Sequence, residues 1–185
     1  MFPLSINSTF FLRPLIEADA KILAQSIDQN RLYLRQWLPW LDYNKTEQDS
    51  LIFIQNSLRL LKDGKCMVMG MWTESEFVGV VSFNEISWPN KRAILGYWIA
   101  ENHRGKGLTL AAVRGLCHLA FTELKLNSLE LRCASMNRPS RNLAEKLEFI
   151  HVGTIPEAEW LYDHFVDHEV FAMTKDRFLL THSAT

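Results

Sequence analysis

A chain of 185 residues has the size of one compact domain and can bury a core without metals or disulfides. Hydrophobic residues make up 48% of the chain and charged residues 22%, which excludes a disordered or fibrous protein. The 20 basic residues are balanced by 21 acidic ones, and a net charge of -1 gives no field that would hold nucleic acid.

The N-terminus, the apolar stretches and the cysteines indicate the cellular compartment. The N-terminus lacks the basic start and apolar run of a signal peptide, and no stretch approaches the roughly 18 apolar residues of a membrane span. Cys66, Cys117 and Cys133 are widely spaced and form no C-x-x-C pair. We therefore expect reduced core thiols in a cytoplasmic protein without membrane contact.

The first third of the chain predicts mostly helix. A strand that ends at Pro14 precedes an acidic helix start, and Thr46 with Asp49 is typical of an N-cap pair. In chain order we predict a strand at 10–15, a helix at 17–29, a short aromatic-rich helix broken by a turn at 31–42, and a helix at 46–63.

The remainder alternates strands and helices. After the loop at 101–107, apolar residues recur at helical spacing up to Ala120. We predict antiparallel strands at 67–72, 77–86 and 92–100, a helix at 108–120, a strand at 128–134, a helix at 139–147, and strands at 149–152 and 160–173. A helix that crosses between two strands makes that pair parallel, so the sheet is mixed and the class is α/β (α+β). Without repeats or linkers, residues 1–179 form one domain and residues 180–185 a loose tail.

The strongest local signal is the turn between the strand at 92–100 and the helix that follows it. This turn places two glycines and two positively charged side chains directly before a helix N-terminus. Free N–H groups and the positive end of the helix dipole bind phosphate at such a position. The candidate diphosphate-binding residues are His103, Arg104, Gly105, Lys106, Gly107, Leu108 and Thr109. Spacing excludes both the Walker loop and the dinucleotide fingerprint. A glycine turn that merely starts a helix stays the alternative.

Residues 102–107 resemble the coenzyme A loop of the GNAT superfamily of acetyltransferases, Gln/Arg-x-x-Gly-x-Gly/Ala, with Asn102 in the first position. The resemblance continues through 96–99, 137–140 and 145–149. Residues 33–42, 159–162 and 166–168 are similar to the RimL-type branch, the ribosomal-protein-serine N-acetyltransferases. The resemblance implies a mixed, mostly antiparallel central sheet of about seven strands, helices on both faces, and a splay between the fourth and fifth strands.

The resemblance also implies acetyl-coenzyme A as co-substrate, no metal, and transfer of an acetyl group to an amine. The coenzyme would lie along Ile99, Ala100 and the glycine loop, with a backbone N–H near Ile99 polarising the thioester carbonyl. Asn137 is the expected contact to the coenzyme, and Ser140 the expected donor to the departing sulfur. Helix capping is the alternative reading of both residues.

The general base does not follow from the resemblance, because Ile94 stands where many relatives carry a glutamate. Glu85 and Glu101 are the candidate proton acceptors, with surface exposure as the alternative. An α-amine with a pKa of about 7.7–8.0 is partly neutral at pH 7, whereas a lysine at about 10.4 is not. We therefore expect the acceptor to be a protein N-terminus, with that of a ribosomal protein as the candidate that the resemblance implies.

Five aromatic residues could wall an acceptor groove, namely Trp37, Trp40, Tyr97, Trp160 and Tyr162, with core packing as the alternative. His164 and His168 share a strand face, but no third metal ligand is in register. A small-amine acetyltransferase acting on a polyamine, an amino sugar or an amino acid remains open, as does a non-catalytic acyl-coenzyme A-binding module. Formation of a homo-oligomer is also left open.

Overall fold

The computed structural model describes residues 3–182, which form eight strands and six α-helices around one sheet. The strands are β1 Leu4–Ser5, β2 Phe10–Pro14, β3 Met67–Thr73, β4 Phe77–Ser87, β5 Arg92–Ile99, β6 Ser128–Ala134, β7 Ile150–Leu161 and β8 His164–Thr174. The helices are α1 Ala20–Gln29, α2 Arg31–Leu34, α3 Glu47–Lys62, α4 Leu108–His118, α5 Arg138–Lys146 and α6 Lys175–His182.

The sheet is mixed, as the sequence predicts. Its strand order is β1-β2-β3-β4-β5-β6-β8-β7, and within residues 3–182 the β5–β6 pair alone is parallel. The crossover through α4 imposes that direction. The fold is therefore α/β with a mostly antiparallel sheet, with eight strands where about seven are predicted.

Helices cover both faces of the sheet. One core contains side chains of α4, α5 and α6, such as Leu116, Ala144 and Phe178. The other contains side chains of α1, α2 and α3, such as Leu23, Leu34 and Ile54. The expectation of helices on both faces is confirmed.

The parallel pair separates part of the way along. Its ladder runs from Arg92↔Ser128 to Leu95↔Leu131, after which β5 stays paired with β4 and β6 with β8. We call the opening between 96–99 of β5 and 132–134 of β6 the splay. The splay predicted between these strands is confirmed.

The C-terminal strands differ from the prediction. The stretch 160–173 is not one strand, because the chain reverses after Leu161 in a hairpin that joins β7 to β8. Tyr162 makes the turn at a φ of 64°, a left-handed conformation for which the sequence gives no glycine or proline signal. Pro156 fits within β7 because β7 is an edge strand, where a missing N–H is tolerated.

The termini also extend beyond the predicted elements. The two-residue strand β1 is too short to carry a period and is absent from the prediction. Residues 180–182 of the predicted tail belong to α6, and residues 183–185 lie outside the described residues.

Candidate active site

The glycine loop is shaped for close approach by a ligand. Gly105 and Gly107 have φ values of 74° and 76°, and a Cβ built on either would meet nothing within 4 Å. Gly107 is the N-cap of α4. The N–H groups of the first helical turn after Gly107 have no acceptor within the helix. Left-handed glycines, open space and free N–H groups together form a cradle of phosphate size.

Three contacts fasten this loop to the rest of the molecule. The buried Asn30 side chain accepts a hydrogen bond from the Glu101 N–H at 2.7 Å. The Arg104 guanidinium stacks on the ring of Tyr33, with its Cζ 4.7 Å from the ring centroid. The buried His103 places Nε2 3.4 Å from a carboxylate oxygen of Glu76. The loop is thus held in place while Arg104 stays exposed.

One continuous cavity of about 1370 Å³ joins the glycine loop, the splay and the aromatic segment before α3. Among the predicted coenzyme-binding residues, the lining includes Ile99, His103, Arg104, Gly105, Gly107, Leu108, Thr109, Asn137 and Ser140. Ala100 and Lys106 do not belong to it. The Ala100 N–H is committed to the Val78 carbonyl at 2.9 Å.

The same hydrogen bond fixes where the neighbouring amides point. In an antiparallel pair, bonded and non-bonded residues alternate along each strand. Because Ala100 donates to Val78 on β4, Ile99 and Tyr97 direct their N–H groups away from β4 and into the splay. This arrangement offers backbone donors where the resemblance places the thioester carbonyl.

Ser140 and Tyr97 meet across the splay. Their hydroxyl oxygens are 2.6 Å apart, and either can donate. Burial raises the pKa of Tyr97, although the Ser140 hydrogen bond opposes the shift, so the Tyr97 hydroxyl is protonated at neutral pH. Tyr97 thus lines the cavity and is also the hydrogen-bond partner of Ser140.

Asn137 and Ser140 also act in the local structure. Asn137 is the N-cap of α5, and its side chain accepts a hydrogen bond from the Ser140 N–H at 3.2 Å. Capping uses the amide of Ser140 and leaves its hydroxyl free for Tyr97. The capping and catalytic interpretations are therefore compatible.

Cys133 borders the cavity beside Ser140 but is not poised as a nucleophile. It is 7% exposed, and burial raises the pKa of its thiol. A protonated thiol is a weak nucleophile. The site thus favours direct attack by the acceptor rather than an acyl-cysteine.

The two predicted proton acceptors lie outside this cavity. Glu85 is exposed on β4, and Glu101 is exposed with an oxygen 3.8 Å from Arg104. The lining instead contains Glu159 and His168, whose Oε2 and Nε2 atoms are 3.5 Å apart. This pair could not be predicted from the sequence, because Glu159 follows an irregularity of β7, where the ladder passes from Ile155 directly to Glu159.

The predicted groove aromatics divide into two groups. Trp37 and Trp40 line the cavity, whereas Trp160 and Tyr162 do not. Trp160 is 53% exposed and packs edge-on against Phe165 at 4.8 Å. The Tyr162 hydroxyl donates to the Leu38 carbonyl, so Tyr162 holds the segment that carries the two tryptophans without lining the cavity itself.

The far wall of the cavity comes from α3 and the turn before it. Its apolar members Tyr43, Ile52 and Phe53 are all exposed in part. The helical period of α3 places the exposed Ile52 on the face opposite its buried Ile54, a signal from which this wall could be predicted, whereas Tyr43 lies in the turn before α3.

No group of three or more His, Cys, Asp or Glu side chains that could hold a metal ion occurs within residues 3–182. Over the same range, no helix is both long enough and apolar enough to cross a bilayer.

Residues 9–150 match the family described as the acetyltransferase (GNAT) domain, and the chain belongs to this family of acetyltransferases. It is 30% identical over 173 residues to the ribosomal-protein-serine acetyltransferase of Escherichia coli (strain K12), with 94% of this chain and 97% of that protein covered. It is 21% identical to the spermidine N(1)-acetyltransferase of Vibrio cholerae over 94% of this chain and 98% of that protein.

Among solved structures, the chain is similar to RimL, a ribosomal L7/L12 α-N-protein acetyltransferase in complex with coenzyme A, which is joined to one of its cysteines by a disulfide. The TM-score is 0.91 at 25% sequence identity, covering 95% of this chain and 99% of that one.

Proposed function

We propose that this protein acts in the cytoplasm and transfers an acetyl group from acetyl-coenzyme A to the N-terminal α-amine of a protein. A ribosomal protein is the first candidate for this acceptor. The observation that carries this proposal is the continuous cavity, which connects a phosphate cradle, the splay and an aromatic wall. The RimL-type relatives named above support the choice of acceptor.

The residues present fit coenzyme A. The cradle at Gly105 and Gly107 has room for phosphate oxygens, and Arg104 and Lys106 supply positive charge beside it. Cys133 borders the cavity, consistent with a coenzyme sulfur that reaches a cysteine in the RimL complex. When bound, the thioester supplies the acetyl group.

Three groups of this chain would carry out the chemistry. The Ile99 N–H, directed into the splay, would stabilise negative charge on a carbonyl oxygen. Ser140, with Tyr97 as its hydrogen-bond partner, would donate a proton to the leaving thiolate. Glu159, beside His168, would accept a proton from the attacking amine.

The acceptor wall suits a peptide end. Trp37, Trp40 and Phe53 offer apolar surface in the same cavity as the carboxylate of Glu159, and an α-ammonium group pairs well with a carboxylate. About a tenth of an α-amine is neutral at pH 7, so a single weak base is sufficient. A lysine side chain would need a stronger one.

A small amine is the second candidate acceptor, since the chain is also similar to a spermidine acetyltransferase and presents a carboxylate in the cavity. Purified protein should be given acetyl-coenzyme A with ribosomal proteins, a serine-led peptide, or spermidine. Free thiol is measured, and the acetylated position is located by mass spectrometry. We expect acetylation at the protein N-terminus, and Glu159→Gln should slow it about 100-fold. Faster transfer to spermidine than to every peptide would overturn the proposal.

A further inference from the structure

Asn84 occupies an irregular position in β4 at the edge of the splay. The β4–β5 register passes from Phe83↔Leu95 to Glu85↔Ile94, so Asn84 has no partner in the ladder. Such a bulge re-aims a side chain and is common beside active sites. The Asn84 side chain is exposed and lines the cavity.

The Asn84 amide lies flat against Gly96. A Cβ built on Gly96 would be 2.4 Å from Nδ2 and 2.6 Å from Oδ1 of Asn84, so any larger residue would displace the amide. Gly96 is the first residue of β5 beyond the last parallel rung, Leu95↔Leu131. The amide therefore stands where the splay begins.

Ser82 fixes which way the amide faces. This serine is 5% exposed, and its Oγ lies 2.6 Å from Asn84 Oδ1 and 3.3 Å from the Gly96 carbonyl. A separation of 2.6 Å is typical of an O–H···O bond and is short for N–H···O. The hydroxyl thus donates to Oδ1 and leaves the NH2 group of Asn84 as a donor. Within residues 3–182, no hydrogen bond uses that NH2 group.

We propose that Asn84 is a positioning residue for the acceptor, and that its NH2 group donates to the first carbonyl of a peptide. This inference rests on the proposed N-terminal acetylation. An α-amine of a peptide has a carbonyl on the adjacent carbon, whereas polyamines and amino sugars have none there. A donor placed where the splay begins recognises that carbonyl and selects peptide ends over simple amines.

The test compares two acceptors on two enzymes. One acceptor is a serine-led peptide, and the other is an amine of the same length with CH2 in place of the first carbonyl. Asn84→Ala should lower kcat/KM for the peptide about 10-fold to 100-fold, mainly through KM, because the peptide carbonyl loses its donor. Its kcat/KM for the carbonyl-free amine should stay at the wild-type value.

Matched variants separate recognition from folding. Asn84→Asp keeps the size and removes the donor, so it should lose as much as Asn84→Ala while melting at the wild-type temperature. Asn90→Ala changes another exposed asparagine, in the turn after β4 and outside the cavity lining, and should affect neither acceptor. Calorimetric binding of the peptide to enzyme with coenzyme A should show the same contrast without turnover.

Two outcomes are distinguishable. If wild-type enzyme prefers the peptide and Asn84→Ala keeps that preference in both turnover and binding, Asn84 does not position the acceptor. If wild-type enzyme prefers the carbonyl-free amine, the N-terminal acceptor itself is refuted, and this inference with it.

Discussion

Replacing Ser140 with alanine removes the hydroxyl 2.6 Å from that of Tyr97 and tests the acid role of Ser140. General acid catalysis typically contributes 10²–10⁴-fold, so we expect kcat to fall by about 100-fold or more. The variant also leaves the Tyr97 hydroxyl without its partner. Because Tyr97 is half-buried and lines the cavity, loss of this hydrogen bond should lower the free energy of unfolding by about 0.5–1.5 kcal/mol.

Tyr97→Phe gives the contrasting result. It removes the partner hydroxyl but keeps that of Ser140, so kcat should fall far less than in Ser140→Ala. The double variant Ser140→Ala/Tyr97→Phe removes both hydroxyls, so neither is left without its partner. Its free energy of unfolding should recover towards the wild-type value while its activity stays low.

Both quantities are measurable on the same samples. Thiol release from acetyl-coenzyme A with a serine-led peptide gives kcat, and urea unfolding gives stability. If Ser140→Ala keeps most of the wild-type kcat, or if Tyr97→Phe loses as much as Ser140→Ala does, Ser140 is not the acid.

Three further predictions concern the loop, the fold and the cavity thiol. In a calorimetric titration, Gly107→Ala should raise the coenzyme A dissociation constant at least about 10-fold, and it should lower the free energy of unfolding by about 1–2 kcal/mol. Gly153→Ala is the control, because Gly153 also has a positive φ and open space around it but lies outside the cavity lining. It should leave the dissociation constant unchanged. Burial alone would raise the pKa of Asp19, but hydrogen bonds from Arg13 and the Ile16 N–H hold it below its ordinary value. Its stabilisation is therefore present above about pH 4 and is lost as the pH falls through the lowered folded-state pKa, so Asp19→Asn should destabilise at pH 7 in urea unfolding and cost progressively less as the pH falls below about 4. Burial raises the pKa of Cys133, so its alkylation by iodoacetamide should be slow at pH 7, accelerate as the pH rises, and slow again with coenzyme A present; fast alkylation at pH 7 would contradict this environment.

The glycine loop and the parallel strand pair could be predicted from the sequence because their signals are local and strong. A helical apolar period directly follows Gly107, and a helix crossover forces the strands on either side to run parallel. The splay could be predicted only from the family resemblance, because the residues of β5 and β6 do not indicate where the pairing of the two strands stops.

Positions set by backbone irregularities could not be predicted. The bulge at Asn84 changes which residue of β4 faces the cavity. A proton acceptor predicted from the end of the strand is therefore the exposed Glu85, one position later. Likewise, the left-handed turn at Tyr162 and the irregularity before Glu159 place that carboxylate at the cavity. Each depends on tertiary contacts rather than on local propensity.

The stack of Arg104 on Tyr33 joins the glycine loop to a second residue of the cavity lining. If a bound diphosphate draws the guanidinium towards itself and away from the ring, binding at the loop and binding beside Tyr33 become coupled. Linkage requires that either ligand then alters the affinity of the other by the same factor. Because a cation–π contact at an exposed site such as Arg104 contributes about 0.5–1 kcal/mol, that mutual influence is limited to about 5-fold.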